Sequence, residues 1–328
     1  MRLPWARLVL RAVSWYNSAV MAELVNTFSW SFSAASAFDA CRRKRYWSKY
    51  AAWGGWNAQA SSTARTAYRL NKMDSRHTLQ GRATEETVRW VLAEHQAGRA
   101  RTVDEAYEAV GRPFLNEAWK QSKSGAWRSD PKRKVCLHEH YYPTLHRDLD
   151  PDWPKAVRER VCQCVAHFIE TVLPRLSEVE PEQEIPIGAP ESFELEGVTL
   201  YAIPDYVYRT GAVWHIHDWK SGRPSEAHRM QLAIYALWAH TKHGVAPENI
   251  RVYLEYLNEG YVAEEPVTPE LIHEARAFIS ESVADMTDYL ENADRTRNKP
   301  LPREEWDMTS ERAVCAHCNF HELCEPEF

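Results

Sequence analysis

The sequence predicts an α/β protein with a central mixed sheet flanked by helices. Three observations predict it. From Ser33 to Val179 the apolar residues recur mostly at helical spacing. From Glu184 to Lys220, and again from Arg251 to Val267, the pattern shortens to strand-length runs. Between and after those runs, Ser225 to His243 and Pro269 to Asn292 return to helical spacing.

The elements follow in order. Ser33 to Tyr50 reads as one helix with Ser33 as its N-cap. Ala60 to Met73 and Leu79 to Gln96 read as two more. Val103 to Gln121 is helical with a break expected near Gly111-Arg112-Pro113, because proline lacks the N–H that a helix interior needs. Gly125 to Lys134 is a basic loop, and Trp153 to Val179 is a long helical pattern interrupted by Pro174. Strands are expected at Glu184 to Ile187, Ser192 to Glu196, Thr199 to Tyr208 and Val213 to Lys220. Arg209-Thr210-Gly211 fits the turn between the last two, and Asn258-Glu259-Gly260 joins Arg251 to Leu257 with Tyr261 to Val267. Thr268 as N-cap and Pro269 at the first position open the last long helix. Arg295 to Phe328 contains Pro, Arg and Cys with little periodicity.

Hydrophobic content of 44% and charged content of 26% suit a soluble globular chain, and 328 residues suffice for a substantial core. No apolar run approaches the ~20 residues of a membrane span, so no membrane partner is expected. Met1 to Val20 is cut by Arg7 and Arg11 and makes a poor secretory signal. It reads as an extension, or as an over-long start with Met21 as the working first residue. Seven cysteines without such a signal point to a reducing compartment, and the expected location is cytoplasmic.

The net charge of −6 hides an asymmetry. Cys41 to Lys134 holds 20 Lys+Arg against 9 Asp+Glu, while Val135 to Phe328 holds 17 against 35. A basic stretch of this kind points to a polyanion partner or to neutralisation across an internal interface. Arg42, Arg43, Lys44 and Arg45 crowd next to Cys41 and are candidate DNA phosphate contacts. No Gly-x4-Gly-Lys-Ser/Thr phosphate loop and no His-Glu-x-x-His occur, which excludes an ATP motor or a zinc peptidase of those types.

Ile203-Pro204-Asp205 is followed thirteen residues later by Asp218-Trp219-Lys220. In a strand Asp218 and Lys220 share a face, and Asp205 arrives from the neighbouring strand. These carboxylates sit among Ile203, Tyr206, Val207, Trp214 and Ile216. Charge in such apolar strands needs a reason, and a hard divalent cation supplies one. Two carboxylates with a lysine can hold Mg2+ or Mn2+ and activate water against a phosphodiester.

The Asp205…Asp218-x-Lys220 arrangement resembles the PD-(D/E)XK nuclease superfamily, and its flanks are similar to the RecB-like branch. There the strand typically continues Asp-Tyr-Lys-Thr-Gly; here it is Asp218-Trp219-Lys220-Ser221-Gly222. A helix with Gln-x-x-x-Tyr follows in the branch, matched by Gln231 and Tyr235, which the resemblance makes supports of the site. The upstream Gly-x-x-x-His motif aligns with Gly81 to Glu85, so the resemblance carries the metal-ligand role to Glu85. It implies a restriction-endonuclease-like core and a DNA nuclease preferring single strands or ends.

Cys315-x2-Cys318-x5-Cys324 has ligand-like spacing, and Cys41 lies more than 270 residues upstream. Thiolates at this spacing suit a [4Fe–4S] cluster or tetrahedral Zn2+. His317 and His321 keep a mixed zinc site open. One cysteine before the core and three after it resembles the split iron–sulfur ligation of CRISPR-associated RecB-like exonucleases and AddB-type helicase-nucleases. Cys41 to Tyr46 resembles their Cys-Pro-Arg-Lys-Tyr start, with Arg42 where proline is common.

The expected organisation is an extension (1–27), an N-terminal helical part (28–95), a helical insert (96–180), a catalytic core (181–294) and a cysteine segment (295–328) that clamps the chain ends together. A separate helicase or an integrase or recombination protein is an expected partner. A non-catalytic DNA-binding subunit and a zinc-stabilised interaction protein are the other two readings.

Overall fold

The computed structural model describes residues 24–177, 183–184 and 191–325. The N-terminal expectations, the helix end at Val179 and the strand end at Ile187 lie outside the described residues.

The strands are β1 (Ser29–Ser31), β2 (Gln183–Glu184), β3 (Ser192–Leu195), β4 (Val198–Tyr201), β5 (Tyr206–Thr210), β6 (Val213–Lys220), β7 (Ile250–Tyr256) and β8 (Tyr261–Pro266). The helices are α1 (Phe32–Ala40), α2 (Arg42–Arg45), α3 (Ser62–Asn71), α4 (Arg76–Gln96), α5 (Val103–Ala106), α6 (Arg112–Ser124) and α7 (His138–Tyr141), then α8 (Trp153–His167), α9 (Leu173–Ser177), α10 (Glu226–His243), α11 (Pro269–Thr287), α12 (Arg312–Ala316) and α13 (His321–Cys324).

The first helix differs from the sequence reading. Ser31, not Ser33, is the N-cap, with its hydroxyl accepting from Ala34 N. The helix stops at Ala40 because Cys41 is extended, at φ −168 and ψ 117, and it restarts as α2 followed by a π-helical turn at Tyr46–Ala51. A backbone bond from Arg43 N to Asp307 O, 2.9 Å, ties the restart to the C-terminal tail.

The break expected near Pro113 is absent. Gly111 stays helical at φ −58 and ψ −50, and a π-helical turn at Tyr107–Gly111 precedes α6. A second such turn, Phe168–Val172, precedes Pro174. In both places a widened turn stands before the residue whose N–H is missing, and the helix runs on.

The strand expected from Thr199 to Tyr208 is two strands in two sheets. Pro204 cannot donate to a ladder, and the chain changes sheet across Ala202-Ile203-Pro204. One sheet has the order β1-β4-β3, with β1 parallel to β4. The other has the order β2-β5-β6-β7-β8 and is antiparallel except at β6–β7. That parallel pair is joined through α10, the crossover a parallel pair requires.

Ser225 caps α10, and Gly244, at φ 68, ends it in the left-handed conformation. Leu232 through Ala239 are all buried, so the middle of α10 is enclosed while its two ends meet solvent. It lies in the largest core, with Ile216, Val252 and Leu254 of the larger sheet, Leu200 of the smaller sheet, and Ile279 of α11. Trp30 Nε1 donates to Ser282 Oγ at 3.0 Å and fastens β1 to α11. A second core joins α4, α8 and the turn after it, and Phe168 meets Trp219 edge-on at 5.4 Å to seat these helices on β6. A third packs Phe320 of the tail with Trp47, Met73 and Tyr142. No helix among the described residues is long and apolar enough to cross a membrane.

Candidate active site

Asp218 and Lys220 lie two apart near the end of β6, where it runs parallel to β7. Asp205 N bonds His217 O at 3.1 Å, extending the β5–β6 ladder one step beyond the Tyr206–His217 pair. The sheet change at Pro204 therefore delivers Asp205 beside Asp218. Asp205 Oδ2 accepts from Trp219 N at 2.7 Å, which fixes that carboxylate.

The predicted side chains close a ring. Lys220 Nζ stands 2.6 Å from Asp218 Oδ2 and donates to Gln231 Oε1 at 2.9 Å. Gln231 Nε2 donates to the Tyr235 hydroxyl at 2.8 Å. Tyr235 OH lies 3.0 Å from Asp218 Oδ1 and 3.2 Å from Ile203 O. Gln231 and Tyr235 reach the site together because they are one turn apart on α10.

Asp218 is only 3% exposed, and its Oδ2, despite the nearby ammonium, makes no hydrogen bond of good geometry. Burial first, and the Asp218 charge second, push the Asp205 carboxyl well above its usual range; Glu85 adds to this, while the Trp219 amide and Lys220 oppose it. A buried and a half-buried carboxylate repelling one another are a site short of positive charge. Burial and both aspartate charges also raise the Tyr235 hydroxyl, keeping it a neutral donor.

Glu85 projects from α4, which lies against the end of β6. A Cβ on Gly81 would stand 3.4 Å from Ser221 Oγ, and Gln80 Nε2 donates to Ser221 O at 3.3 Å. The Glu85 charge acts on Asp205, yet its carboxylate pairs with Arg89, four residues on along α4, at 2.5 Å. Among the described residues no three His, Cys, Asp or Glu side chains form a ready metal-ligand set. Asp205 and Asp218 converge, while Glu85 is drawn aside. The donors are hard oxygens and Asp218 Oδ2 is buried without a hydrogen bond, so the pair fits a divalent cation such as Mg2+ or Mn2+.

Residues 29–325 match the family model of the PD-(D/E)XK nuclease superfamily. The chain belongs to that superfamily. Its α/β architecture is consistent with the superfamily fold, and membership makes it a nuclease acting on DNA. Comparison with curated proteins finds no match.

Beside the Asp205–Asp218 pair an open pocket of about 720 Å³ is lined by Lys220, Gln231, Tyr235 and His228, and extends to Tyr201 and Phe32. His228 was not singled out from sequence, having no motif around it. Its Nδ1 lies 3.1 Å from Tyr256 OH, and burial, then the Lys220 charge, lower its pKa. Sequence reasoning also missed a buried pair spanning β6 and β7. Glu255, 1% exposed, lies 3.1 Å from His217 Nδ1 and 2.6 Å from Arg175.

Cys41, Cys315, Cys318 and Cys324 line one pocket with Lys44, Trp47 and Phe320. None is in a disulfide. Trp47 Nε1 lies 3.2 Å from Cys324 Sγ, and burial pushes the Cys318 thiol up to about 11. The neighbouring basic residues face inward more than the sequence suggested. Arg43 is buried and donates to Trp306 O at 2.6 Å. Arg42 stacks over Phe38 at 4.2 Å and bonds Phe38 O, and Arg45 is held beside Ser29 O. Arg43 alone of the three reaches the tail, while Arg42 holds to α1 and Arg45 to β1.

Proposed function

We propose that this chain is a Mg2+- or Mn2+-dependent deoxyribonuclease that works on single-stranded DNA or DNA ends and carries a [4Fe–4S] cluster. The observation supporting the catalytic reading is the pairing of half-buried Asp205 with buried Asp218, closed by Lys220.

Asp205 and Asp218 hold the divalent cation, with Glu85 assisting. Bound there, the cation supplies charge neutralisation at the phosphate and acidifies a water. The Lys220 ammonium has three donors, one held by Gln231 and one directed toward Asp218. The third is left for a phosphate oxygen or the attacking water. Gln231 orients Lys220, and Tyr235 orients Asp218 while holding the Ile203 turn. The enclosure of α10 keeps these distances fixed, which is what positioning catalysis needs.

The cluster reading is supported by four cysteines from opposite ends of the chain lining one apolar-walled pocket. Bound there, iron would clamp the tail to the first helices, and Zn2+ is the competing occupant. A cytoplasmic setting and a helicase, integrase or recombination partner belong to the same reading.

The experiment is Mn2+ titration of anaerobically purified protein by calorimetry, beside Asp218→Asn. Tight binding lost in the variant, together with loss of cleavage at an unchanged melting temperature, supports the reading. DNA binding without cleavage in wild type transfers the assignment to a non-catalytic subunit.

A further inference from the structure

Residues 40–73 contain eight Lys+Arg and no Asp or Glu, within a chain of net charge −6. This stretch also carries two tryptophans on the surface, Trp53 at 39% exposure and Trp56 at 47%. Exposed indoles of that size require an explanation.

The turn that displays them is built, not loose. Gly54 is left-handed at φ 74, a conformation that glycine adopts without strain. A Cβ on Gly55 would stand 2.2 Å from Ala64 O and 2.6 Å from Tyr68 Cβ, so only glycine lets the turn press against α3. The Trp53 and Trp56 rings meet at 5.1 Å, and Trp56 meets Tyr68 at 5.8 Å. The pair is thus fixed on the helix beneath it.

That helix presents Arg65, Arg69 and Lys72 to solvent, spaced so as to share one side. Among the described residues neither the Arg65 nor the Arg69 guanidinium makes a hydrogen bond or ion pair, and Lys72, which caps the C-terminal end of the helix, lies over the Tyr68 ring at 5.7 Å. Most other exposed arginines on helices are engaged: Arg82 with Asp74, Arg89 with Glu85 and Glu86, Arg112 with Glu108.

We propose that the Trp53–Trp56 turn and the Arg65/Arg69/Lys72 side of α3 form an accessory site for single-stranded nucleic acid, outside the catalytic pocket. The two indoles stack on bases, and the cationic row follows the phosphates. Charge complementarity selects this occupant over an apolar protein face, since a row of unneutralised cations beside aromatic rings suits a polyanion with π-faces.

The test is fluorescence anisotropy with a labelled oligothymidylate in EDTA, where cleavage cannot occur. Binding is read for wild type, for Trp53→Ala/Trp56→Ala and for Arg65→Gln/Arg69→Gln, with melting temperatures as a folding control. Base stacking of about 1–3 kcal/mol per ring predicts at least tenfold weaker binding by the tryptophan variant at fixed salt. Loss of two phosphate contacts predicts a salt slope shallower by about 1.4 in the arginine variant. An abasic oligonucleotide removes the effect of the tryptophan substitutions if they stack on bases. Wild-type affinity and slope in both variants would overturn the site, as would equal losses on abasic and normal strands. The assay is independent of the Asp218 and Lys220 chemistry, so failure of the nuclease reading leaves its outcome interpretable.

Discussion

Tyr235 and Asp218 are joined by a 3.0 Å hydrogen bond that crosses from α10 to β6. It fixes the buried carboxylate from the side opposite Lys220, whose ammonium stands on Oδ2. A hydrogen bond to a charged acceptor is worth about 1.5–3 kcal/mol. Tyr235→Phe therefore lowers kcat for DNA cleavage about tenfold or more, with secondary structure retained. A variant with wild-type kcat would show that the hydroxyl does not position Asp218.

Glu85 shares its carboxylate between the field of Asp205 and the Arg89 guanidinium. If it assists at the metal, a neutral nitrogen ligand can stand in for it. Glu85→His keeps most of the Mn2+-supported cleavage, while Glu85→Ala loses about tenfold or more, as loss of a polar metal partner costs. Equal activity in both variants would remove Glu85 from the site.

The four-cysteine pocket makes a prediction about composition. Cys324→Ser lowers bound iron, bleaches the brown colour and drops the melting temperature together. Zinc in place of iron in the anaerobic wild type would reassign the metal, and a metal-free wild type of unchanged stability would remove the clamp.

Lys49 offers a pH test away from the catalytic residues. Burial first, then the Arg45 charge, hold it down to about 8 against its ordinary 10.5. The unfolded chain therefore binds more protons than the folded one between those values, and this group makes stability rise with pH across that window. Below pH 8 both states carry the charge and its burial cost is fully present. Lys49→Met raises the melting temperature at pH 7, and the gain shrinks as pH climbs from 8 to 10. A gain independent of pH would show that packing, not charge, is responsible.

The convergence of these side chains was legible because the residues are local: Asp205, Asp218 and Lys220 lie on one hairpin, and Gln231 and Tyr235 on the next helix. The helix cap at Thr268 was equally readable. What was not legible rests on contacts distant in sequence. Pairing of β1 with β4 joins Trp30 to Leu200, which no local pattern announces. The break at Cys41 depends on Asp307, and the burial of Arg43 depends on Trp306. Strand alternation likewise could not tell that Pro204 moves the chain to a second sheet, the event that brings Asp205 to Asp218. The π-helical turns show why prolines 113 and 174 misled, since a locally widened helix accommodates what sequence rules read as a stop.

The central claim is that Lys220, on a metal-binding carboxylate pair, runs phosphodiester hydrolysis. The direct measurement is cleavage of end-labelled single- and double-stranded DNA with Mg2+ or Mn2+, wild type beside Lys220→Ala. The account predicts metal-dependent cleavage by wild type, strongest on single strands or ends, and loss of about a hundredfold or more in the folded variant. Undiminished cleavage by Lys220→Ala, or cleavage by wild type without divalent metal, would contradict it.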